Sequence, residues 1–474
     1  MNVNISDFVS SASLMILTAT ALVLILVEAT KTGRPRVSFV VSLAGLFLAA
    51  VFSLLNYSND QTLFFGMLRQ NWFANYFSLV FVGAAFLSIL VSKPYLERQS
   101  VHRGEYYILM VFATIGMMLI ASANDFIILF LGIELMSLCL YVLAGFMRTR
   151  DRSNESALKY FLLGAFATGF LLYGIALIYG ASGTTNLPAI GEHLPMLWPK
   201  WSFLVGVGLV TTAFAFKVAA VPFHMWAPDV YEGAPTTVTA FMSTGAKAAA
   251  FAAFVLVFLQ TLKVSGTKVN EIVAIIAASS MVVGNVVAIA QSNIKRMLAY
   301  SSIAHAGYML SGIAAGNSEG QTGILFYVVA YTFMNIGAFG VVSLMENEED
   351  KNLQLEDYAG LSRQRPYLAA LMAVFMFSLA GIPPFAGFFG KYYVFLSAVK
   401  ANMTWLAIVG VLTSLVSAYY YLRIVIMMYF REGEGNVGAK PALTSVIAVT
   451  CSALLLLQFG LFPSFVVQAI QKLF

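Results

Sequence analysis

The chain has 474 residues, of which 60% are hydrophobic and only 10% are charged. A mean hydropathy of +0.82 excludes an ordinary soluble domain and indicates a polytopic membrane protein. The net charge of +5 would suggest nucleic-acid binding in a soluble protein, but here the basic residues lie mainly in short loops, where they indicate topology instead.

The chain begins with MNVNISDFVSSASLM, which lacks the basic segment of a signal peptide, so the first apolar run is expected to be retained as a helix. A membrane-spanning helix needs about 20 mostly apolar residues. This criterion predicts an all-α polytopic membrane protein with fourteen transmembrane helices. Helices 1 to 14 are predicted at residues 8–27, 37–55, 72–92, 106–121, 125–147, 158–180, 201–225, 236–262, 269–290, 294–316, 321–345, 366–399, 403–430 and 441–466.

The loops that follow odd-numbered helices carry most of the loop lysines and arginines. Because positively charged loops stay in the cytoplasm, this bias predicts that both chain termini lie on the outer, periplasmic side. The longest predicted cytoplasmic loop, MENEEDKNLQLEDYAGLSRQRP, is also the most charged. We interpret it as a solvated linker, with a docking surface for a partner as the alternative.

Two predicted helices contain helix-breaking residues. Helix 7 ends in KVAAVPFHMWAPDVYEGAPTT, and helix 12 contains SLAGIPPFAGFFGK. Proline removes a backbone donor, and the carbonyl groups that it frees inside a membrane must be satisfied by protein or by water in a cavity. Interrupted helices in corresponding positions of two halves are typical of a transport site between inverted repeats.

The two breaks are five helices apart, and this odd offset predicts two units of opposite orientation. The sequence thus predicts a single membrane domain over residues 1–474 that contains two inverted five-helix repeats. Helices 4–8 form the first repeat at 106–262, and helices 9–13 form the second at 269–430. Helices 1–3 at 1–92 and helix 14 at 441–474 flank the repeats.

Four ionisable residues lie inside apolar helices: Glu134, Lys217, Lys247 and Lys391. We call them the relay residues. A charged group at mid-bilayer costs about 2.5–3.5 kcal/mol on insertion scales, so their presence indicates the transfer of protons or ions. The structural alternative is a buried ion pair, for which Glu134 is the evident acidic partner.

Four further residues are weaker candidates. Lys159 at the start of helix 6 and Arg423 in helix 13 are each explained by an interfacial position. His224 at the helix 7 break and His305 in helix 10 are each explained as hydrogen-bonded core residues. A histidine also titrates near neutral pH and can bridge charged sites. Among these four, His224, His305 and Lys159 remain secondary candidates for proton transfer.

These residues predict a mechanism. Burial disfavours the charged form of a lysine, whereas a nearby carboxylate favours it, so a buried lysine beside a glutamate can alternate between holding and releasing a proton. The hypothesis pairs Glu134 with Lys217, makes Lys247 the next carrier, uses His305 or water as a bridge, and places Lys391 near the exit. The order of transfer is left open.

The segments that contain these residues resemble the antiporter-like membrane subunits of respiratory complex I, over essentially the whole chain. The resemblance rests on LGIELMSLCLYVLAGF, KVAAVPFHMWAPDVYEGAPTTVTAFMSTGAKAAAF, QSNIKRMLAYSSIAHAGYML and SLAGIPPFAGFFGKYYVF, which occur in that order. The chain is most similar to the N-type members. It stops after helix 14, without the lateral helix of the L-type, and the M-type typically has glutamate at the position of Lys391.

The resemblance implies a proton channel through the relay residues, in which Glu134 modulates Lys217, and it favours a functional role for Lys159. It implies a bacterial inner membrane location and a multisubunit partner. That partner includes a neighbouring M-type subunit, a small K-type subunit and a hydrophilic arm with FMN and iron–sulfur clusters. NADH, FMN, the clusters and quinone are implied in other subunits, because this chain has no dinucleotide fingerprint or cysteine cluster.

Other functions remain open. A subunit of a multisubunit Na⁺/H⁺ antiporter, a membrane-bound hydrogenase or a ferredoxin-driven relative shares most of these motifs. A non-translocating structural subunit is the alternative from a different class, and it predicts that Lys217 and Lys247 tolerate neutral replacement.

Overall fold

The computed structural model describes residues 5–30, 35–264, 266–347, 352–433 and 441–471. In this part of the chain, eleven helices are long and apolar enough to cross a membrane, and Trp201–Lys217 and Pro366–Ala380 are shorter apolar helices. The prediction of an all-α polytopic membrane protein is confirmed. The extreme termini, and residues 348–351 of the charged loop, lie outside the described residues.

Each of the fourteen predicted helices corresponds to an observed helix or to an interrupted helix. Helices 1 to 6 are Ala12–Ala29, Pro35–Leu55, Trp72–Arg98, Glu105–Ser122, Phe126–Ala144 and Asp151–Ser182. Helix 7 is Trp201–Lys217 followed by Trp226–Gly233, and helix 8 consists of Thr236–Phe241, Met242–Ala246, Lys247–Phe254 and Val255–Thr261. Helices 9 to 11 are Lys268–Ile289, Ile294–Ala315 and Ser318–Met345. Helix 12 is Pro366–Ala380 followed by Ala386–Lys400, helix 13 is Thr404–Phe430, and helix 14 is Leu443–Leu461 followed by Pro463–Gln471.

Several elements were not predicted. Strands β1 (Gln61–Leu63) and β2 (Leu68–Gln70) form an antiparallel hairpin between helices 2 and 3. Short helices, with the 3₁₀ turn Leu355–Tyr358, occupy the ends and loops: Ile5–Ser10, Leu187–Glu192, Leu194–Leu197 and Leu361–Gln364. Helix 6 also begins seven residues before its predicted start at 158, because polar DRSNESA is helical although it is not apolar.

The chain forms two compact units. The first comprises Met1–Ile89, Val101–Lys217 and Gly245–Lys263, and the second comprises Leu90–Ser100, Val218–Thr244 and Val264–Phe474. In the first unit, helices 4 and 5 pack backbone against backbone: a Cβ atom at Gly116 would lie 2.8 Å from the carbonyl oxygen of Gly132. Small residues permit this close approach of membrane helices.

A pair of backbone hydrogen bonds fixes the turn between helices 4 and 5 to the loop that follows helix 6. The N–H of Phe126 donates to the carbonyl oxygen of Thr185 at 3.0 Å, and the N–H of Leu187 donates to that of Asn124 at 3.0 Å. Asp125, between the two bonds, caps helix 5 by accepting from Ile127 N–H. The first unit therefore ties three helix ends together.

The second unit repeats this arrangement five helices later. The N–H of Ile294 donates to the carbonyl oxygen of Leu353 at 2.9 Å, and the N–H of Leu355 donates to that of Ser292 at 2.8 Å. Asn293 caps helix 10 as Asp125 caps helix 5. One constant shift in residue number relates all of these positions to those of the first unit, which supports the proposed internal repeat of helices 4–8 and 9–13.

Both expected breaks are observed, and helix 8 carries a third irregularity. Helix 7 stops at Lys217, eight residues before the predicted end, and the segment up to Trp226 contains Pro222. Helix 12 stops before Gly381, whose φ of +84° is the left-handed conformation that ends a helix. Helix 8 is continuous but contains two π-helical segments, Met242–Ala246 and Val255–Thr261, on either side of Lys247.

Candidate functional site

Lys217 is the last residue of the first part of helix 7, and its ammonium group is held by helix 5. Its Nζ atom donates to Ser137 Oγ at 2.7 Å and lies 5.8 Å from the centre of the Tyr141 ring. Glu134 lies on the same face of helix 5, one turn before Ser137, and accepts a hydrogen bond from Thr168 at 2.7 Å. Glu134 and Lys217 interact electrostatically. Among the described residues no direct ion pair joins them, and the Ser137 hydroxyl donates to the carbonyl oxygen of Ile133 in its own helix.

Lys247 begins the α-helical segment between the two π-helical segments of helix 8, and only 2% of it is exposed. Its neighbours are small: Gly245 and Ala246 precede it, and three alanines follow at 248–250. A π-helical turn leaves carbonyl groups outside the regular α-helical hydrogen-bond pattern, and such turns occur frequently at functional sites. A buried cation therefore lies in a helix of irregular backbone.

Lys391 binds the end of the first part of helix 12. Its Nζ atom donates to the carbonyl oxygens of Leu379 and Ala380 at 3.0 and 2.9 Å, and to Ser414 Oγ at 2.8 Å. The two carbonyl groups belong to the last turn of a helix and lack intrahelical partners, so the break creates the acceptors that the ammonium group needs. The aromatic ring of Tyr308 lies 5.0 Å from Nζ.

His305 is fully buried in helix 10 and lies in a network of tyrosines. Its Nδ1 atom is 2.8 Å from the hydroxyl of Tyr327, and its Nε2 atom is 3.1 Å from the hydroxyl of Tyr421. The Tyr421 hydroxyl also forms a hydrogen bond with Ser301. Both ring nitrogens therefore have hydroxyl partners, an arrangement that either protonation state of the ring can use.

A second group of hydrogen bonds extends from this region toward Lys391. Asn285 donates to the hydroxyl of Tyr308 at 2.9 Å and accepts from the hydroxyl of Tyr420 at 2.9 Å. Tyr420 is in ring contact with Tyr421, with centroids 4.4 Å apart, and Tyr308 faces Lys391. We call Tyr308, Tyr327, Tyr420, Tyr421 and Asn285 the tyrosine network.

The secondary candidates differ in their surroundings. Lys159 forms an ion pair with Glu155 at 2.7 Å, one turn earlier on helix 6, and its side chain is 40% exposed. His224 lies in the break of helix 7, and Arg423 lies in helix 13; both are partly buried. The structure thus groups Glu134, Lys217 and Lys247 in the first unit and His305 with Lys391 in the second.

Sequence reasoning did not identify the neutral partners of the charged groups. Ser137, Ser414 and the members of the tyrosine network are common residue types in membrane helices, and their partners come from other helices. A polar residue on the same helical face as Glu134 was the only available signal, and it applies to Ser137. Within the described ranges, no group of three or more His, Cys, Asp or Glu residues is placed to hold a metal ion.

Comparisons with known proteins agree over nearly the whole chain. A family model described as NADH:quinone oxidoreductase/Mrp antiporter, TM, matches residues 123–417. NADH-quinone oxidoreductase subunit N 1 of Chloroherpeton thalassium is 48% identical over 470 residues, 98% of each chain. The corresponding subunit N of Trichlorobacter lovleyi is 49% identical over 438 residues, 91% of this chain and 89% of that one.

Solved structures have the same fold. A chain of respiratory complex I from Thermus thermophilus, with bound aureothin, matches with a TM-score of 0.84 and 37% identity over 96% of this chain and 98% of that chain. A chain of the Mrp complex from Dietzia sp. DQ12-45-1b matches with a TM-score of 0.85 but only 20% identity, over 97% and 95% of the two chains. The Mrp likeness therefore supports the fold alone.

Proposed function

The chain belongs to the family of N subunits of NADH-quinone oxidoreductase, which are antiporter-like membrane subunits of complex I, and we propose that it moves protons through its buried lysines. Glu134, Lys217 and Lys247 form one part of the path in the first unit. His305, the tyrosine network and Lys391 form the other part in the second unit. Lys159 and His224 remain secondary candidates.

One observation carries this proposal: Lys217 and Lys391 are held by neutral oxygen atoms. Lys217 binds a serine hydroxyl, and Lys391 binds two carbonyl groups and another serine hydroxyl. A lysine that is locked to a carboxylate must break an ion pair before it releases its proton, whereas a lysine on neutral acceptors does not. Both sites can therefore lose and regain a proton at a lower energetic cost than a buried ion pair.

The chemistry of each transfer involves protons alone. A lysine ammonium gives a proton to a neighbouring hydroxyl or water, becomes a neutral amine, and later accepts another proton from the opposite side. Hydroxyl groups such as those of the tyrosine network both donate and accept hydrogen bonds, so they can pass a proton along without changing their own net charge. Helix interruptions and small residues around Lys247 provide backbone that can adjust during these steps.

The proposal also covers topology and partners. The loop charges support cytoplasmic loops after odd-numbered helices and both termini on the periplasmic side of a bacterial inner membrane. NADH, FMN, the iron–sulfur clusters and quinone would be bound by other subunits of the complex, and quinone reduction there would drive the proton movement here. A neighbouring M-type subunit and a small K-type subunit are the proposed partners in the membrane arm.

Replacement of Lys391 by arginine tests the function. Arginine keeps the positive charge and hydrogen-bond donors but does not release a proton in proteins, so the complex should assemble while proton pumping falls at least about tenfold. The measurement is the rate of proton uptake into closed vesicles during NADH oxidation. Assembly is followed by the oxidation of NADH with an artificial electron acceptor.

Lys400→Arg, at the end of the same helix segment, is the matched control. Lys400 forms an exposed ion pair with Glu319 at 2.6 Å, and its replacement should leave pumping unchanged. Wild-type pumping by Lys391→Arg, Lys217→Ala and Lys247→Ala would contradict the proposal and would favour a structural subunit that does not translocate protons.

A further inference from the structure

A buried carboxylate lies where the membrane part of helix 11 ends. Glu346 directly follows the last residue of helix 11 and is 0% exposed. It accepts hydrogen bonds from the hydroxyl of Tyr95 at 2.8 Å and from the hydroxyl of Thr236. Tyr95 lies near the end of helix 3, and Thr236 is the first residue of helix 8, so three helix ends meet at this carboxylate.

A buried cation binds the same stretch of backbone. Lys295, in the first turn of helix 10, is 1% exposed, and its Nζ atom donates to the carbonyl oxygen of Ala234 at 2.7 Å. Ala234 is two residues before Thr236. Arg98, at the end of helix 3, donates to the carbonyl oxygen of Ser343 in the last turn of helix 11. We call Glu346, Lys295, Tyr95 and Thr236 the Glu346 cluster.

A fourth element adds a buried hydroxyl beside the carboxylate. Tyr358, in the 3₁₀ turn Leu355–Tyr358, is 0% exposed, and its hydroxyl makes no hydrogen bond to the described residues. Burial and then the negative charge of Glu346 raise the pKa of Tyr358 well above its ordinary value. A buried hydroxyl without a protein partner is commonly satisfied by ordered water. The Tyr358 hydroxyl is therefore suited to bind an ordered water.

Further polar groups lie on the elements that lead from this cluster to His305. Helix 10 begins beside Lys295 and carries Ser302 and then His305 one turn later. Tyr331 of helix 11 has its ring centre 5.2 Å from that of His305. All of these residues belong to the second unit.

The Glu346 carboxylate uses both of its oxygen atoms inside the protein. Oε1 accepts from the hydroxyl of Tyr95 and Oε2 accepts from the hydroxyl of Thr236, although burial of an ionised carboxylate costs several kcal/mol. In addition, the ends of helices 3, 10, 8 and 11 that meet here are the ends that the alternation of fourteen helices places on one membrane face. By the loop charges, that face is the cytoplasmic one.

We propose that Glu346 is a proton-accepting residue at the cytoplasmic face, which takes protons from water and supplies them to His305 and the tyrosine network. This inference rests on the proposed function. In each cycle a hydronium ion gives its proton to a carboxylate oxygen of Glu346, which leaves water and a neutral carboxylic acid. The acid then gives the proton to the next acceptor toward His305, and the carboxylate is restored. No electron is transferred and no bond to carbon changes.

The test compares Glu346→Gln with wild type in the assembled complex. Glutamine preserves the volume and one of the two acceptor oxygens but binds no proton at physiological pH, so assembly should persist while the pumping rate falls at least about tenfold. Glu346→Asp retains an acid and should recover pumping to within about threefold of wild type. Glu356→Gln is the matched control, because Glu356 is an exposed carboxylate of the Leu355–Tyr358 turn outside the Glu346 cluster, and it should pump at the wild-type rate.

Three outcomes would overturn the inference: wild-type pumping by Glu346→Gln, no recovery in Glu346→Asp, or an equal loss in Glu356→Gln, which would assign the effect to the charge of this face in general. If Glu346→Gln does not assemble, Glu346→Asp and Glu356→Gln decide the question by the same criteria. The result is separable from the proposed function. If Lys391→Arg loses pumping while Glu346→Gln pumps at the wild-type rate, the result contradicts the role of Glu346 and leaves the proposed function intact.

Discussion

A serine hydroxyl accepts a hydrogen bond from each of two lysines within apolar helices, Ser137 from Lys217 and Ser414 from Lys391. A hydroxyl is a modest acceptor, but it can also donate once the amine has lost its proton. The same contact therefore survives both protonation states of the lysine. A carboxylate in this position would favour the charged amine strongly and would oppose proton release.

Ser137→Ala should reduce proton pumping about tenfold without loss of assembly. A hydrogen bond to a charged group contributes about 1.5–3 kcal/mol, and its removal frees the Lys217 ammonium from the face that carries Glu134. Pumping rates in closed vesicles measure the effect. Ser78→Ala is the matched control, because Ser78 is also buried and, like Ser137, donates to the carbonyl oxygen four residues earlier, but among the described residues it accepts no hydrogen bond from a lysine. Equal pumping by both variants would contradict this role of Ser137.

The candidate residues that could be predicted from the sequence are those whose type conflicts with an apolar environment. Glu134, Lys217, Lys247 and Lys391 stand out for this reason alone. The tyrosine network could not be predicted, because a tyrosine in a membrane helix is ordinary and its hydrogen-bond partner depends on packing between helices. The exposure of Lys159 likewise depends on which side of helix 6 faces the rest of the chain.

At the scale of elements, the end of the first part of helix 12 combines a left-handed glycine with a contact to Lys391. Gly381 has a φ of +84°, and a Cβ atom there would lie 3.0 Å from Cδ and 3.2 Å from Nζ of Lys391. The glycine thus allows the helix to end and leaves room for the lysine to reach the freed carbonyl groups.

Gly381→Ala should lower the free energy of unfolding by about 1–2 kcal/mol, because alanine is disfavoured in the left-handed conformation. It should also reduce pumping, because the new methyl group displaces Lys391. Gly183→Ala separates the two effects. Gly183 ends helix 6 with a φ of +77° and has open space around its Cβ position, so its replacement should cost stability but preserve pumping. Identical pumping by both variants would exclude an effect through Lys391.

The backbone contact between helices 4 and 5 predicts a stability effect. A Cβ atom at Gly116 would lie 2.6 Å from the backbone nitrogen of Met136, so Gly116→Ala should force the helices apart and destabilise the chain by about 1–3 kcal/mol. Gly169→Ala, in open space on helix 6, should be neutral or slightly stabilising. The amount of assembled complex and its unfolding temperature measure both variants. An unchanged Gly116→Ala complex would contradict the packing.

Helix existence was predictable because about 20 apolar residues in a row admit few other structures. The residues at which helices start and end were less predictable from the sequence. Helix 7 stops at Lys217 rather than near Met225, since the three residues before Pro222 already leave the helical conformation, with Ala219 at a φ of +58°. The π-helical segments beside Lys247 have no sequence signature, because GAKAAA is compatible with a regular α-helix.

For the whole molecule, the alternation of fourteen helices predicts which loops share a side of the membrane. After Cys139 and Cys451 are replaced, a single cysteine at Arg148, in the loop after helix 5, should react with a membrane-impermeant maleimide only in inside-out vesicles. A single cysteine at Lys200, in the loop after helix 6, should react only in right-side-out vesicles. Reaction of both from the same side would contradict the alternation, and a reversed pattern would contradict the orientation.

The repeated turn bonds at Phe126 and Ile294 have an evolutionary consequence. We infer that one ancestral gene segment was duplicated in tandem, because the same numerical shift carries Gly116 onto Gly284 and Ser137 onto His305. The matching positions share their backbone contacts but differ in their side chains. Ser137 accepts a hydrogen bond from Lys217, whereas His305 lies between the hydroxyl groups of Tyr327 and Tyr421, so equivalent places in the two units carry different polar groups.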